Sequence, residues 1–281
     1  MTMLSTTGEA SARAAAVAEG AVRRAGISVL ELSTADDVNR AAGLLREVWR
    51  GPQDPVPANL LRAVHHAGGY VYGAVDDVGT LLAVSMGLLA TDGLHSHITG
   101  VVPSGQRRGL GFALKQHQRA WALERGMTTI SWTCDPLVRR NVAFNLHALG
   151  ARVARYLPDY YGPMDDGVNK GDESDRFELC WDLLGHAAVQ AAEGRIPFLD
   201  GADRPLAVAL GPGGLPVMRP VSSTPRVVVL PPDIETLRGA DGAASLEWRY
   251  AVRSALLPVL SSGGVILGLT SGGAIVVDDP A

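Results

Sequence analysis

Val101-Val102-Pro103-Ser104-Gly105-Gln106-Arg107-Arg108-Gly109-Leu110-Gly111 is the stretch on which the reading of this chain turns. It opens as the end of a strand-like run, His95 to Val102, that stops at Pro103. It closes at the start of a helical pattern from about Gly109 to Arg125. That pattern puts Leu110, Ala113, Leu114, His117 and Trp121 on one face, and Gly126 suits its C-cap. A strand, a loop and then a helix start leave free backbone N–H groups at the positive end of the helix dipole, which is an anion site. Gly109 and Gly111 let an anion approach the backbone without a Cβ in the way. Arg107 and Arg108 place positive charge where the dipole disfavours it, unless something anionic sits nearby. The stretch has no Gly-Lys-Ser/Thr and so is no Walker A, and it lacks the third glycine of the dinucleotide fingerprint. Taken alone, a glycine turn with solvated arginines fits it equally well.

Working outward, Ile27 to Leu32 reads as a first strand, and Ser33 or Thr34 caps a helix to about Arg50. A short helix follows over Ala58 to His66, then strands over Tyr70 to Val75 and Thr80 to Leu89. Beyond the glycine loop and its helix, Met127 to Cys134 alternates as a strand. Asp135-Pro136 reads as N-cap and first position of a helix ending at Gly150. Strands near Ala151 to Tyr156 and Phe177 to Leu183 flank a long polar loop. The middle of the chain is therefore α/β, a mixed sheet flanked by helices. From Gly185 the texture changes: Gly, Pro and Ala rise, with a strand at Arg226 to Leu230, helix from Asp233 to Leu260 broken at Gly239 to Gly242, and a closing hairpin. The expected organisation is a flexible leader at 1–26, a main domain at 27–184, and a smaller α/β extension at 185–281 packed on it.

Composition narrows the function classes. The chain has 281 residues, and its formal net charge of −4 gives no global attraction for nucleic acid or an anionic membrane. No apolar run reaches the ~20 residues of a bilayer span, and no secretory signal is visible. Cys134 and Cys180 form no C-x-x-C pattern and fit reduced thiols in the cytoplasm.

The loop in its context resembles the GNAT N-acetyltransferase superfamily. That family's signature is Gln/Arg-x-x-Gly-x-Gly/Ala between a strand ending in apolar-Pro and an amphipathic helix. Here it reads Gln106-x-x-Gly109-x-Gly111 after Val101-Val102-Pro103, and Leu149-Gly150-Ala151 ends the later helix in the family's manner. The similarity covers about Ile27 to Leu183. The runs His95 to Val101, Asp135 to Asn141 and Tyr161 to Asp166 look like a bacterial branch with a C-terminal extension. The resemblance implies a GNAT fold and an enzyme that transfers an acyl group, acetyl foremost, from acyl-CoA to a small-molecule amine by direct attack on the thioester. The alternative is a non-catalytic acyl-CoA sensor or assembly module. A homodimer stays open, and no metal is expected.

The resemblance also implies roles. Gly100, Val101 and Val102 would line the pantetheine arm. Gln106, Arg107, Arg108, Gly109, Leu110, Gly111 and Phe112 would hold the pyrophosphate, and Arg139 and Asn141 would add to the CoA site. The catalytic set departs from the family's pattern. The slot of its tyrosine acid is Leu146, flanked by Asn145 and followed downstream by Tyr156, Tyr160 and Tyr161. The slot of its glutamate base is Ser96, between His95 and His97. Either histidine titrates in the right range for a base, although a solvated or structural histidine fits as well. The candidate catalytic residues are thus His97, His95, Asn145, Tyr160 and Tyr161. Arg139 and Arg140 sit in a first helical turn and call for an anionic partner: a CoA phosphate, an acyl carboxylate or the Asp135 cap. The acidic residues of the 156–176 loop would attract a cationic amine, or are simply solvated.

Overall fold

The computed structural model describes residues 2–106, 108–169, 171–221 and 223–280. The chain forms two compact units, Met1–Trp132 with Asp182–Gly185, and Thr133–Trp181 with His186–Ala281. The division falls at 132/133 rather than at the expected 184/185, so residues 133–181 group with the C-terminal part.

The first unit contains α1 (Thr2–Ala25), β1 (Ser28–Glu31), α2 (Ala35–Trp49), α3 (Ala58–His66), β2 (Tyr70–Val75), β3 (Leu81–Ala90), β4 (Gly93–Val101), α4 (Leu110–Glu124) and most of β5 (Thr129–Cys134). Its strands run in the order β1-β2-β3-β4-β5. The first four are antiparallel neighbours and β4–β5 is parallel, so the sheet is mixed. Helix α2 starts at a capping box: the Thr34 hydroxyl accepts the Asp37 N–H and the Asp37 carboxylate accepts the Thr34 N–H. Its face of Val38, Ala41, Ala42 and Leu45 joins Leu61, Val71, Val84 and Met86 in one core. At Gly100 a Cβ would come within 2.9 Å of Trp49 and 3.0 Å of Leu45, so α2 lies close against β4 only because that residue is glycine.

Residues 2–25, expected as a flexible leader, instead form one long helix. Ala14, Ala18, Ala21 and Ala25 recur every three or four residues and are buried, and α1 packs along α4. The alanine-rich composition is that of a good helix former with a narrow packing stripe.

The second unit continues with α5 (Arg139–Ala143), one π-helical turn at Phe144–Ala148, β6 (Arg152–Leu157), β7 (Arg176–Asp182), α6 (His186–Ala192), β8 (Leu206–Leu210), β9 (Pro216–Met218), β10 (Arg226–Val228), α7 (Ile234–Ala240), α8 (Gly242–Ser261), β11 (Val265–Leu269) and β12 (Ile275–Asp278). Strands β6 and β7 pair antiparallel. A second sheet has the order β11-β12-β10-β8-β9, around Val227, Ala274 and Val276. The closing hairpin and the break between α7 and α8 fall where the sequence puts them. Asp135-Pro136 does not start the next helix: α5 begins at Arg139, with Val138 as N-cap. The Asp135 carboxylate accepts the Leu137 N–H at 2.8 Å and is otherwise taken by Arg249 and Arg238.

Candidate functional site

Strand β4 carries an irregularity where its chemistry lies. In its ladder with β3, Met86 faces Ile98 and Gly87 faces Ser96, which leaves His97 as an extra residue without a partner. This is a β-bulge, a device that bends a strand and re-aims its side chains. On the other edge, β4 pairs with β5 only at Leu94↔Ile130 and His95↔Ser131. Beyond that rung β4 runs on to Val101 while its ladder with β5 has ended, which leaves this edge of β4 unpaired with β5. Gly93 lets the two strands come close: its φ is +136°, and a Cβ there would lie 2.1 Å from the Thr129 carbonyl oxygen.

The open strand leads to the glycine loop. A single 3₁₀ turn at Pro103–Gly105 folds back, and Gly105 is buried with Leu110 and Val101 around it. Gly109 is the N-cap of α4 with φ +79°, a conformation that glycine adopts without strain. Among the described residues no side-chain cap hydrogen bond is made at this end, where the amides of the first turn, Leu110, Gly111 and Phe112, have no intrahelical acceptor. Gln106, Arg108 and Gly109 are exposed, Gly111 and Phe112 half-buried, and Leu110 buried as the anchor of the turn. Arg107 lies outside the described residues. Gly100 and Val101 are the end of β4 and Val102 follows it, as expected of a wall for an extended ligand arm. Uncapped amides, two residues without a Cβ and an open strand edge fit a diphosphate joined to an extended chain.

His97 keeps solvent access, yet the protein around it lowers its pKa below the ordinary value by desolvation, which favours the neutral, proton-accepting ring. The His95 Nδ1 is 3.3 Å from the Ser131 hydroxyl, and the two histidine rings are 6.3 Å apart. Ser96 is no base slot facing substrate. It is buried, and its hydroxyl accepts a hydrogen bond at 2.8 Å from the ammonium of Lys115 on α4. Lys115 also donates to Gln118 Oε1 at 3.3 Å and lies 4.0 Å from the centre of the Trp132 ring. Burial brings its pKa down to about 7. Sequence reasoning passed over Lys115 because α4 looked one-sided. Lys115, Gln116, Gln118 and Arg119 are all buried.

The remaining candidates belong to the second unit. Tyr160 and Tyr161 are exposed and stacked edge to face with centroids 4.7 Å apart. The Tyr161 hydroxyl is 3.0 Å from Thr133 Oγ1, and the Arg176 guanidinium lies 5.3 Å from its ring. Tyr156 is no proton donor: its hydroxyl donates to Asp175 at 2.5 Å, and burial raises its pKa well above the ordinary phenol range. Asn145 is buried in the π-helical turn, beside the Cys134 thiol. Asn141 is exposed. Arg140 is paired with Glu235, and Arg139 Nη1 donates to the Gly272 carbonyl at 3.4 Å. The Asp135 cap is the partner of neither. Nor are the acids of the 156–176 loop free to draw in an amine. Asp172 is held by Arg249 and Arg238, Asp175 by Arg253, and Glu173 by Arg253 and Tyr250, while Asp166 accepts the N–H groups of Val168 and Asn169.

A mixed α/β sheet with a bulged strand, a β4–β5 ladder that ends early and a glycine loop leading into α4 define the class of fold. Residues 11–137 match the family model described as the acetyltransferase (GNAT) domain. No curated protein matches the chain in sequence. Among solved structures, the ribosomal-protein-S18-alanine N-acetyltransferase of Escherichia coli is 18% identical over 56% of this chain and 94% of its own, with a TM-score of 0.47. An N-acetyltransferase of Staphylococcus aureus is 12% identical over 56% and 98%, with a TM-score of 0.47. A phosphinothricin acetyltransferase of Sinorhizobium meliloti, solved with acetyl-CoA, is 13% identical over 55% and 87%, with a TM-score of 0.46.

Proposed function

We propose that the chain transfers an acyl group from acyl-CoA to the amino group of a small molecule. The observation that carries this reading is the early end of the β4–β5 ladder beside the His97 bulge, on the strand that leads to the start of α4. The α4 amides and Gly109 take the diphosphate, and the edge of β4 from Gly100 to Val102 takes the pantetheine arm. Backbone donors along β4 polarise the thioester carbonyl. The amine attacks that carbonyl, a C–N bond forms, the C–S bond breaks and the CoA thiolate leaves. The neutral imidazole of His97 accepts the proton lost by the amine, with His95 as the second candidate. No covalent enzyme intermediate is required, so rate comes chiefly from holding the reactants in line.

The test is thiol release from acetyl-CoA against a panel of amines, read with a thiol-reactive dye, beside calorimetric binding of CoA, acetyl-CoA and succinyl-CoA. Binding together with amine-dependent release above the hydrolysis background is expected. Failure of CoA, acetyl-CoA and succinyl-CoA alike to bind overturns the reading, and so does binding without release for any amine.

A further inference from the structure

Lys115 occupies a particular place in the first unit. The last rung of the β4–β5 ladder is His95↔Ser131, and the next residue on each strand is Ser96 and Trp132. The Lys115 ammonium contacts both of these, at 2.8 Å from the Ser96 hydroxyl and 4.0 Å from the Trp132 ring centre. It therefore lies between α4 and the sheet, against the two residues that follow the last β4–β5 rung. A thioester arm entering from the α4 start and running along β4 points its acyl group toward that rung.

The charge there is uncompensated. Lys115 is 5% exposed, and its partners are a hydroxyl, an amide oxygen and an aromatic face. Among the described residues no carboxylate forms an ion pair with it. Buried lysines are rare without such a partner, because the charged form loses its hydration and gains little in return. Its lowered pKa is the expected response to a missing counter-charge. A methionine would fill the same space at no electrostatic cost, so the amine is retained against its own solvation. The other titratable groups on these elements are otherwise engaged or placed. His95 sits by Ser131, His97 forms the bulge, His117 bonds the Tyr70 hydroxyl, and Arg119 donates to the Leu183 carbonyl.

We propose that Lys115 selects the acyl group: its ammonium meets the terminal carboxylate of a dicarboxylic acyl chain, of the succinyl class, beside the last β4–β5 rung. This rests on the acyl-CoA reading above. Ser96 and Gln118 then orient the ammonium, and Trp132 covers the carbons of the chain.

The test is calorimetric titration of the full chain with CoA, acetyl-CoA and succinyl-CoA at pH 7.5, repeated in two buffers of different ionisation enthalpy. Succinyl-CoA is expected to bind about tenfold or more tightly than acetyl-CoA, as a buried charge gaining its partner implies. Its binding is also expected to take up protons from buffer, because the arriving carboxylate raises the lysine pKa. In Lys115→Met the affinity ratio is expected to collapse toward one and the extra proton uptake to vanish, which separates Lys115 from His95 and His97 as the group that titrates. Should Lys115→Met fail to fold, Lys115→Gln and the wild-type titrations carry the same comparison. If CoA and acetyl-CoA bind but succinyl-CoA is no tighter and takes up no extra protons, the assignment of Lys115 is overturned and the CoA site stands. If none of the three binds, the acyl-CoA reading itself is overturned.

Discussion

Gly109 and His97 carry the site at the scale of single residues. Gly109 sits at φ +79° with open space where its Cβ would be, so a substitution there meets backbone strain rather than a clash. Gly109→Ala is expected to cost about 1 kcal/mol of stability from the left-handed conformation. Gly109→Glu adds a negative charge in front of the amides that would hold a diphosphate and is expected to abolish acetyl-CoA binding. Retained affinity in Gly109→Glu would displace the phosphate site from this loop. For His97, desolvation sets the pKa below 6.5, so the ring is neutral at pH 7 and protonates only on the acid side. As a base it must be unprotonated, so kcat/KM is expected to fall as pH drops through that lowered value. His97→Ala should be slower by roughly 10²–10⁴-fold and lose that acid limb. A variant whose acid limb is unchanged takes the role away from His97. The loop was legible from its glycines and its place between strand and helix. Ser96 was not, because a one-residue bulge shifts which side chains face α4, and period-2 alternation carries no sign of a bulge.

At the scale of elements, most of the α/β pattern was readable because α2, α3 and β2 through β5 follow their apolar periods with clear breaks. Two departures have physical causes. Residues 2–25 contain little but alanine to mark a packing face, so the stripe of Ala14, Ala18, Ala21 and Ala25 is visible only once α4 lies against it. The helix expected from Asp135 begins at Arg139 because the Asp135 carboxylate serves arginines more than a hundred residues away in sequence. Local capping logic has no access to such partners. The β4–β5 junction gives the sharpest test at this scale. A Cβ on Gly93 would lie 2.1 Å from a backbone carbonyl oxygen, which no side-chain adjustment relieves. Gly93→Ala is expected to force the two strands apart at the one place where they pair. Thermal unfolding should show a drop of several degrees or failure to accumulate folded protein. An unchanged melting temperature would mean that the β4–β5 pairing does not depend on this approach.

Across the whole molecule, the buried charge is concentrated in the second unit. Arg249 is fully buried and donates to Asp135 at 2.9 Å and Asp172 at 2.6 Å, with Arg238 bonded to the same two carboxylates. Arg253 and the Tyr156 hydroxyl do the same for Asp175. These contacts tie the 158–175 segment and the Asp135 turn to α7 and α8, which explains how a long loop without periodicity keeps a fixed path. Replacing a whole buried ion cluster by apolar residues can be neutral, but removing one member strands the others. Arg249→Met is therefore expected to cost about 3–5 kcal/mol in urea unfolding of the full chain. The pH dependence has a definite sign. The arginines hold Asp135 and Asp175 below their ordinary value of 3.8 in the folded state. Their contribution is fully present above about pH 4 and is lost as pH falls through the depressed folded values. Arg249→Met relaxes that depression, so its stability should depend less on pH below 4 than the wild type's, while lying lower at pH 7. Parallel stability curves for the two proteins between pH 2 and 7 would show that these carboxylates are not linked to folding through Arg249. The tie between loop and helix would then have to come from the surrounding apolar contacts instead.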